Sequence, residues 1–263
     1  MTAAVAVEEQ GRVTGQVAEV FRSYQGEGLL LGKRQVFVRL AGCTVGCRYC
    51  DTEWALGSVA DVAVPRCTEE AGEEAETPTR LQNPLTVEQV LELVERVDPG
   101  GTSAVSLTGG EPLEQPDFAR ALCAALAPRD VMLETAGLDA VALAHVAPHL
   151  RWVSCDLKLP SATGRAGVLD EHAAVLASGA LDGLEVFYKL IVDGDVGRDE
   201  VARAANLLSS YAPGASVFLQ PVTPLGGSPA LPREQLDPFV DILAAAGLEV
   251  RVVPQVHKVL RVR

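Results

Sequence analysis

Cys43-Thr44-Val45-Gly46-Cys47-Arg48-Tyr49-Cys50-Asp51-Thr52 follows directly on Gln35–Ala41, an apolar run that reads as a β-strand. Three thiols fall within eight residues, on the loop after a strand. With six cysteines in 263 residues, the chain is long and cysteine-poor for a secreted disulfide scaffold, and a tight cluster in a reducing compartment points to metal. Three thiolates can hold three irons of a cubane and leave the fourth open to a substrate, whereas most Fe–S electron carriers supply four cysteines. Thiolates also suit zinc, but structural zinc takes four protein ligands. No fourth cysteine or histidine follows locally, and His145, His149, His172 and His257 lie far along the chain. Zinc completed by a distant ligand, and inert buried cysteines, are the competing readings. Cys67, Cys123 and Cys155 are scattered and read as structural.

Outward from this loop, short apolar runs alternate with helical stretches. Val17–Ser23, Gln35–Ala41, Ala104–Thr108, Val131–Thr135, Trp152–Asp156, Leu184–Val192, Ser216–Gln220 and Glu249–Val253 read as strands. Thr86–Val97, Asp117–Ala127, Ala140–Val146, Arg198–Ser210 and Arg233–Ala246 read as helices. Thr86 with Gln89 predicts a capping box, and Val87, Val90, Leu91 and Val94 an apolar face. This alternation predicts an α/β fold with a mostly parallel sheet covered by helices. A single domain over 1–263 is the simplest division. Residues 57–84 break the rhythm: Pro65, Pro78, Pro84 and the acidic run Glu69, Glu70, Glu73, Glu74 and Glu76 read as an irregular insertion.

Apolar residues make up 48% of the chain, enough for a sizeable core. No apolar run reaches the roughly 18 residues of a membrane span, and the N-terminus lacks a signal pattern, so a soluble cytoplasmic protein is expected. A net charge of −13 argues against general nucleic-acid binding.

In such sheets chemistry collects at the carboxyl ends of the strands. Thr108-Gly109-Gly110-Glu111-Pro112 leaves one such end; paired glycines admit close backbone approach, and Glu111 can accept from an ammonium group. Ser154-Cys155-Asp156-Leu157-Lys158 leaves another, where Ser154, Asp156 and Lys158 are cofactor-binding candidates. Gln220 and Pro221 leave a third and could help enclose a base.

C-x3-C-x2-C after a strand, with Tyr49 before its third cysteine and the Gly-Gly-Glu segment, resembles the radical SAM superfamily. That resemblance implies a partial (β/α) barrel and a [4Fe–4S] cluster on Cys43, Cys47 and Cys50. It also implies S-adenosylmethionine chelated by the open iron and cleaved by one-electron reduction, with the Gly-Gly-Glu motif at the methionine amino group. Ser23-Tyr24-Gln25-Gly26-Glu27-Gly28, Arg39, Thr52, Glu134-Thr135-Ala136-Gly137 and the tail Gln255-Val256-His257-Lys258 further resemble the 7-carboxy-7-deazaguanine synthase family. The chain departs from that family's pattern at Asp156-Leu157-Lys158, where relatives carry Ser-Pro-Lys. It departs again at Ala136, where relatives often carry Asn.

Membership would imply rearrangement of 6-carboxy-5,6,7,8-tetrahydropterin to 7-carboxy-7-deazaguanine with loss of ammonia. Tyr24, Gln25, Gly26 and Glu27 would contact the pterin, Arg39 its carboxylate, and Thr108 the substrate; Gly109 and Gly110 would lie at the cofactor. Thr52 would ligate Mg²⁺, and Arg263 would offer its terminal carboxylate to the substrate. A homodimer and an electron donor such as flavodoxin or ferredoxin are also implied. A glycyl-radical-enzyme activase shares the cysteine loop and the Gly-Gly-Glu motif and is the nearest alternative; a non-catalytic Fe–S or zinc module is the other.

Overall fold

The computed structural model describes residues 13–64, 79–224 and 231–262. In chain order the strands are β1 (Thr14–Gly15), β2 (Val17–Tyr24), β3 (Arg34–Leu40), β4 (Asp61–Val64), β5 (Thr79–Gln82) and β6 (Leu85–Thr86). They continue as β7 (Ala104–Gly109), β8 (Val131–Thr135), β9 (Trp152–Asp156), β10 (Glu185–Val192), β11 (Ser216–Pro221) and β12 (Glu249–Val252). The helices are α1 (Val87–Val97), α2 (Pro116–Ala125), α3 (Ala140–Val146), α4 (Pro160–Thr163), α5 (Val168–Ala177), α6 (Arg198–Tyr211), α7 (Arg233–Ala245) and α8 (Val256–Leu260).

Ten strands form one sheet in the order β12-β11-β10-β9-β8-β7-β3-β2-β4-β5. From β3 to β12 every neighbour is parallel, and β2 is antiparallel to β3. The α/β class and the mostly parallel sheet thus follow the alternation of strands and helices in the sequence. Successive strand residues face opposite sides, and the two sides differ in chemistry. Val105, Leu107, Leu133, Val153, Leu190 and Leu219 belong to the main core, which they share with the helices. Met132, Trp152, Phe187 and Phe218 belong to a separate apolar cluster. Above it, on the same inner face, Thr108, Glu134, Asp156 and Lys189 line a cavity. Side chains from β3 through β10 reach this one cavity, so the sheet is curled around it as a partial barrel.

The segment between β2 and β3 turns inward. Gln25 N–H donates to the Lys33 carbonyl at 2.8 Å and Gly32 N–H to the Gln25 carbonyl at 2.8 Å, closing it into a tongue. Its Leu30 joins the inner apolar cluster, 4% exposed. Gly28, at φ +63°, lies so close to Phe187 that a Cβ would overlap the ring. The tongue plugs the lower interior and floors the cavity.

Three expectations are corrected. The stretch 57–84 is not wholly irregular. Asp61–Val64 and Thr79–Gln82 pair antiparallel, and β4 extends the sheet beside β2 through Glu19 opposite Ala63. The prolines and charges that argued for a loop flank this pair; Asp61-Val62-Ala63-Val64 itself has strand character. Asn83 ties the stretch down, accepting from Val17 N–H at 2.9 Å and donating to Val17 and Val59 carbonyls at 2.7 Å. The acidic run and Cys67 lie outside the described residues. Second, α1 buries Val90, Leu93, Val94 and Val97, a stripe rotated from the expected one, although the Thr86–Gln89 capping box forms. Third, α5 went unforeseen.

Candidate active site

The cysteine loop leaves β3 at the carboxyl end of the sheet. Cys43, Cys47 and Cys50 are free, half-buried and line the cavity. The loop is pinned on both sides. Glu114 accepts from Thr44 N–H and Oγ1, each at 2.7 Å, and Arg48 pairs with Asp195 at 2.7 Å and Asp193 at 3.2 Å. Burial pushes the Cys43 thiol up to about 11 and raises Cys47 as well, so both are protonated at neutral pH until a metal takes them. Gly109 and Gly110 pass directly beneath this loop. A Cβ at Gly110 would overlap the Gly42 carbonyl, and one at Gly109 would stand 2.5 Å from the Leu40 carbonyl oxygen.

From beside the cysteine loop runs a chain of buried charges. Lys158 Nζ lies 2.9 Å from Asp156, and Lys189 Nζ lies 2.8 Å from Asp156 and 2.7 Å from Glu27. Two carboxylates and two ammonium groups thus balance inside the protein, as buried ions must. Burial alone would raise the Glu27 and Asp156 carboxyls, but the lysines outweigh it and hold both low; Lys158 and Lys189 are raised correspondingly. Gln255 donates to Glu27 at 3.0 Å and to Asp51 at 3.3 Å, and Lys258 pairs with Asp51 at 2.8 Å. His257 approaches Glu27 at 4.0 Å and packs so closely on Gly26 that a Cβ there would overlap its ring.

Most expected residues meet here. Tyr24, Gln25, Gly26, Glu27, Arg39, Thr52, Thr108, Gly109, Gly110, Asp156 and Lys158 line the cavity together with the cysteines. Arg39 is gripped through Nε by Glu19 at 2.8 Å. Thr52 precedes a short 3-10 turn but does not cap it; its hydroxyl donates instead to Asp51 at 3.1 Å. Gln25 is engaged by the protein: its Nε2 donates to Glu134 at 2.8 Å and Gln35 at 3.2 Å, and its Oε1 accepts from Glu27 N–H at 3.0 Å. Its side chain braces the tongue.

Four expected residues do not line the cavity. Glu111 is 7% exposed, and its carboxylate accepts from Thr135 Oγ1 at 2.6 Å, Ala136 N–H at 2.7 Å and Leu113 N–H at 3.0 Å. Its carboxylate is engaged by three protein donors. Ser154 and Gln220 are buried one pleat short of their strand exits; Asp156 and Val222, two residues on, take the positions at the cavity. Pro221, between Gln220 and Val222, is turned to the opposite face. Arg263 lies outside the described residues.

Other residues went unassigned in the sequence. Glu134 accepts from Ser106 Oγ at 2.8 Å and Thr108 Oγ1 at 3.1 Å, beside Gln25. Phe21 and Phe37 stack at 5.0 Å on the cavity wall. Lys189 was announced only by standing in the apolar strand Phe187-Tyr188-Lys189-Leu190-Ile191.

A sequence profile described as the Radical SAM superfamily matches residues 37–212. A curated 7-carboxy-7-deazaguanine synthase of Geobacter sulfurreducens is 32% identical over 247 residues, covering 92% of this chain and 96% of that protein. Another, of Methanopyrus kandleri, is 33% identical over 249 residues, covering 93% and 92%. The chain belongs to the 7-carboxy-7-deazaguanine synthase family of the radical SAM superfamily. The crystal structure of QueE from Escherichia coli superimposes with a TM-score of 0.58 at 20% identity, over 95% of this chain and 99% of that one. At that identity the likeness is one of fold.

The site suits what a radical SAM family member needs. No group of three or more His, Cys, Asp or Glu among the described residues converges on a single ion. A cubane does not require that convergence, since each thiolate binds its own iron. Structural zinc does require it.

Proposed function

We propose that this chain converts 6-carboxy-5,6,7,8-tetrahydropterin to 7-carboxy-7-deazaguanine with release of ammonia, acting as a radical SAM lyase of 7-deazapurine biosynthesis. The observation that carries this reading is a single cavity that brings Cys43, Cys47, Cys50, Gly109, Gly110 and Lys158 together with the tongue residues Gly26 and Glu27 and with Arg39, Gln255 and His257. We read the first group as the cofactor side and the second as the substrate side.

When bound, the cluster and S-adenosylmethionine supply a carbon radical that removes hydrogen from the substrate. The chain's own residues do the rest. Cys43, Cys47 and Cys50 hold the cluster. The bare backbone of Gly109 and Gly110 admits the cofactor beside them, and Asp156 and Lys158 offer one charge of each sign to its polar groups. Glu27, held ionised by Lys189 and His257, accepts from the guanidine-like edge of the pterin. Arg39, oriented by Glu19, takes the carboxylate. Thr108 reaches the substrate with its hydroxyl.

Thr52 and Asp51 set two hard oxygens 3.1 Å apart at the mouth, which supports Mg²⁺ there with Thr52 as ligand; few protein ligands are usual for this ion. The whole chain acts as one domain, cytoplasmic and homodimeric, reduced by a flavodoxin or ferredoxin.

Anaerobic turnover tests this reading: reconstituted protein, S-adenosylmethionine, dithionite, Mg²⁺ and the pterin, with product identified by mass and ultraviolet absorbance. 7-Carboxy-7-deazaguanine is expected, lost in Cys47→Ala and reduced in Thr52→Ala. Release of 5′-deoxyadenosine and methionine alone would keep the radical chemistry and sink the substrate, as an activase would show.

A further inference from the structure

Beneath the cavity, the exits of β7, β8 and β9 meet in one buried polar region. Glu111, after β7, accepts from Thr135 Oγ1 at 2.6 Å and Ala136 N–H at 2.7 Å, at the end of β8. Thr135 Oγ1 in turn accepts from Gly137 N–H at 3.0 Å. On the far side of Gly137 stands His172, supplied by α5 and 1% exposed. Its Nε2 accepts the Lys158 N–H at 2.8 Å, so that nitrogen carries no proton. Its Nδ1 is turned toward the Gly137 backbone, 3.9 Å from where a Gly137 Cβ would stand.

A neutral imidazole carries one proton, and with Nε2 accepting that proton sits on Nδ1, the nitrogen turned toward Gly137. Burial first, and the Lys158 cation second, push the imidazole down to about 4. His172 does not line the cavity and cannot touch a ligand. Its bond is to the backbone of Lys158, whose ammonium lies 2.9 Å from Asp156 and 5.4 Å above the Tyr49 ring, within the cysteine loop.

We propose that His172 is a positioning residue: its imidazole clips the exit of β9 to that of β8 and so fixes where Lys158 and Asp156 stand at the cofactor side. This rests on the reading of that side as the S-adenosylmethionine site.

Three variants test that bond. His172→Gln keeps an acceptor within reach of the Lys158 N–H, His172→Asn keeps only a shorter amide on the Gly137 side, and His172→Leu keeps neither. Each anaerobically reconstituted protein is assayed for iron and sulfide, thermal midpoint, S-adenosylmethionine affinity by equilibrium dialysis, and KM against kcat. His172→Leu should retain its iron and bind S-adenosylmethionine about 10-fold more weakly, the loss of roughly one hydrogen bond's worth of orientation. KM for the cofactor should rise with kcat nearly unchanged, and His172→Gln should recover most of the affinity.

Unchanged affinity in folded His172→Leu would overturn the proposal, as would equal impairment in the Gln and Leu variants. If the Leu variant does not fold, the Gln and Asn variants decide: the Asn variant binding as tightly as the Gln variant overturns it. Long-range proton–nitrogen spectra of the wild-type holoprotein give an independent readout. A neutral Nδ1–H ring from pH 6 to 8 is expected, and an Nε2–H tautomer or an imidazolium refutes the clip. Wild-type protein with a full cluster that fails to bind S-adenosylmethionine sinks the functional reading instead, while the spectra still report on the clip.

Discussion

Lys189 is 4% exposed, and two carboxylates depend on it: Glu27 on the proposed substrate side and Asp156 on the proposed cofactor side. Replacing it with methionine leaves Glu27 paired with nothing stronger than Gln255 and a distant His257. Breaking a buried ion group in this way costs about 3–5 kcal/mol. Lys189→Met should therefore lower urea-unfolding stability by that order and cut kcat/KM for both ligands, while Lys189→Arg recovers part of each. Equal stability of wild type and Lys189→Met would refute the account. At this scale the sequence was readable where spacing itself carries the chemistry, as with the three cysteines. It left the direction of Glu111 open, because a Gly-Gly turn can aim the next side chain at a ligand or back into the protein. Only the fold showed that Thr135, Ala136 and Leu113 receive it.

Among the elements, the tongue depends on a glycine at position 28. Gly28 has φ +63° and no room beside Phe187, so both backbone strain and overlap oppose a side chain. Gly28→Ala should lift the tongue, destabilise the chain by more than 1 kcal/mol and raise the pterin KM more than that of S-adenosylmethionine; the two KM values measured together check this. Helix α1 provides a contrast far from the site. Thr86→Ala removes its cap and should cost about 1 kcal/mol by urea unfolding, with kinetics unchanged. The strands were legible because their apolar runs are short and bounded. Helix α5 was not. It follows Gly164 and Gly167, has no capping side chain, and carries alanines and a buried histidine where a clear apolar stripe would stand. Strands β4 and β5 were hidden because a short edge pair has little pattern of its own, and their pairing partners are far along the chain.

For the molecule as a whole, Asp98 adds an acid-sensitive tie to those of Glu27 and Asp156. It is fully buried at the end of the sheet away from the cavity. It accepts from Arg129 at 2.6 Å, Arg22 at 3.0 Å, Ser103 N–H at 3.0 Å and Ser103 Oγ at 3.1 Å, and so joins β2, α1, β7 and the turn before β8. Burial opposes its ionisation, but these donors together hold its carboxyl at about 2, below the ordinary 3.8. A depressed carboxyl stabilises the fold above its unfolded pKa and loses that contribution as pH falls. About 2 kcal/mol should thus disappear between roughly pH 4 and pH 2. Unfolding of the cluster-free chain across this window should show a loss about 2 kcal/mol larger in wild type than in Asp98→Asn, which starts less stable at neutral pH and keeps the contributions of Glu27 and Asp156.

The tongue also bears on how such a protein can change over evolutionary time. Radical generation is drawn from the strand exits, which the whole sheet holds in register. The floor under the second ligand comes from a nine-residue excursion, 25–33, closed on itself by its own backbone. Mutations that re-shape that floor need not disturb the cysteines or the glycines above it. A lineage could therefore trade one substrate for another while keeping its ignition system intact, and tongue exchange between relatives is where laboratory selection for new chemistry should begin.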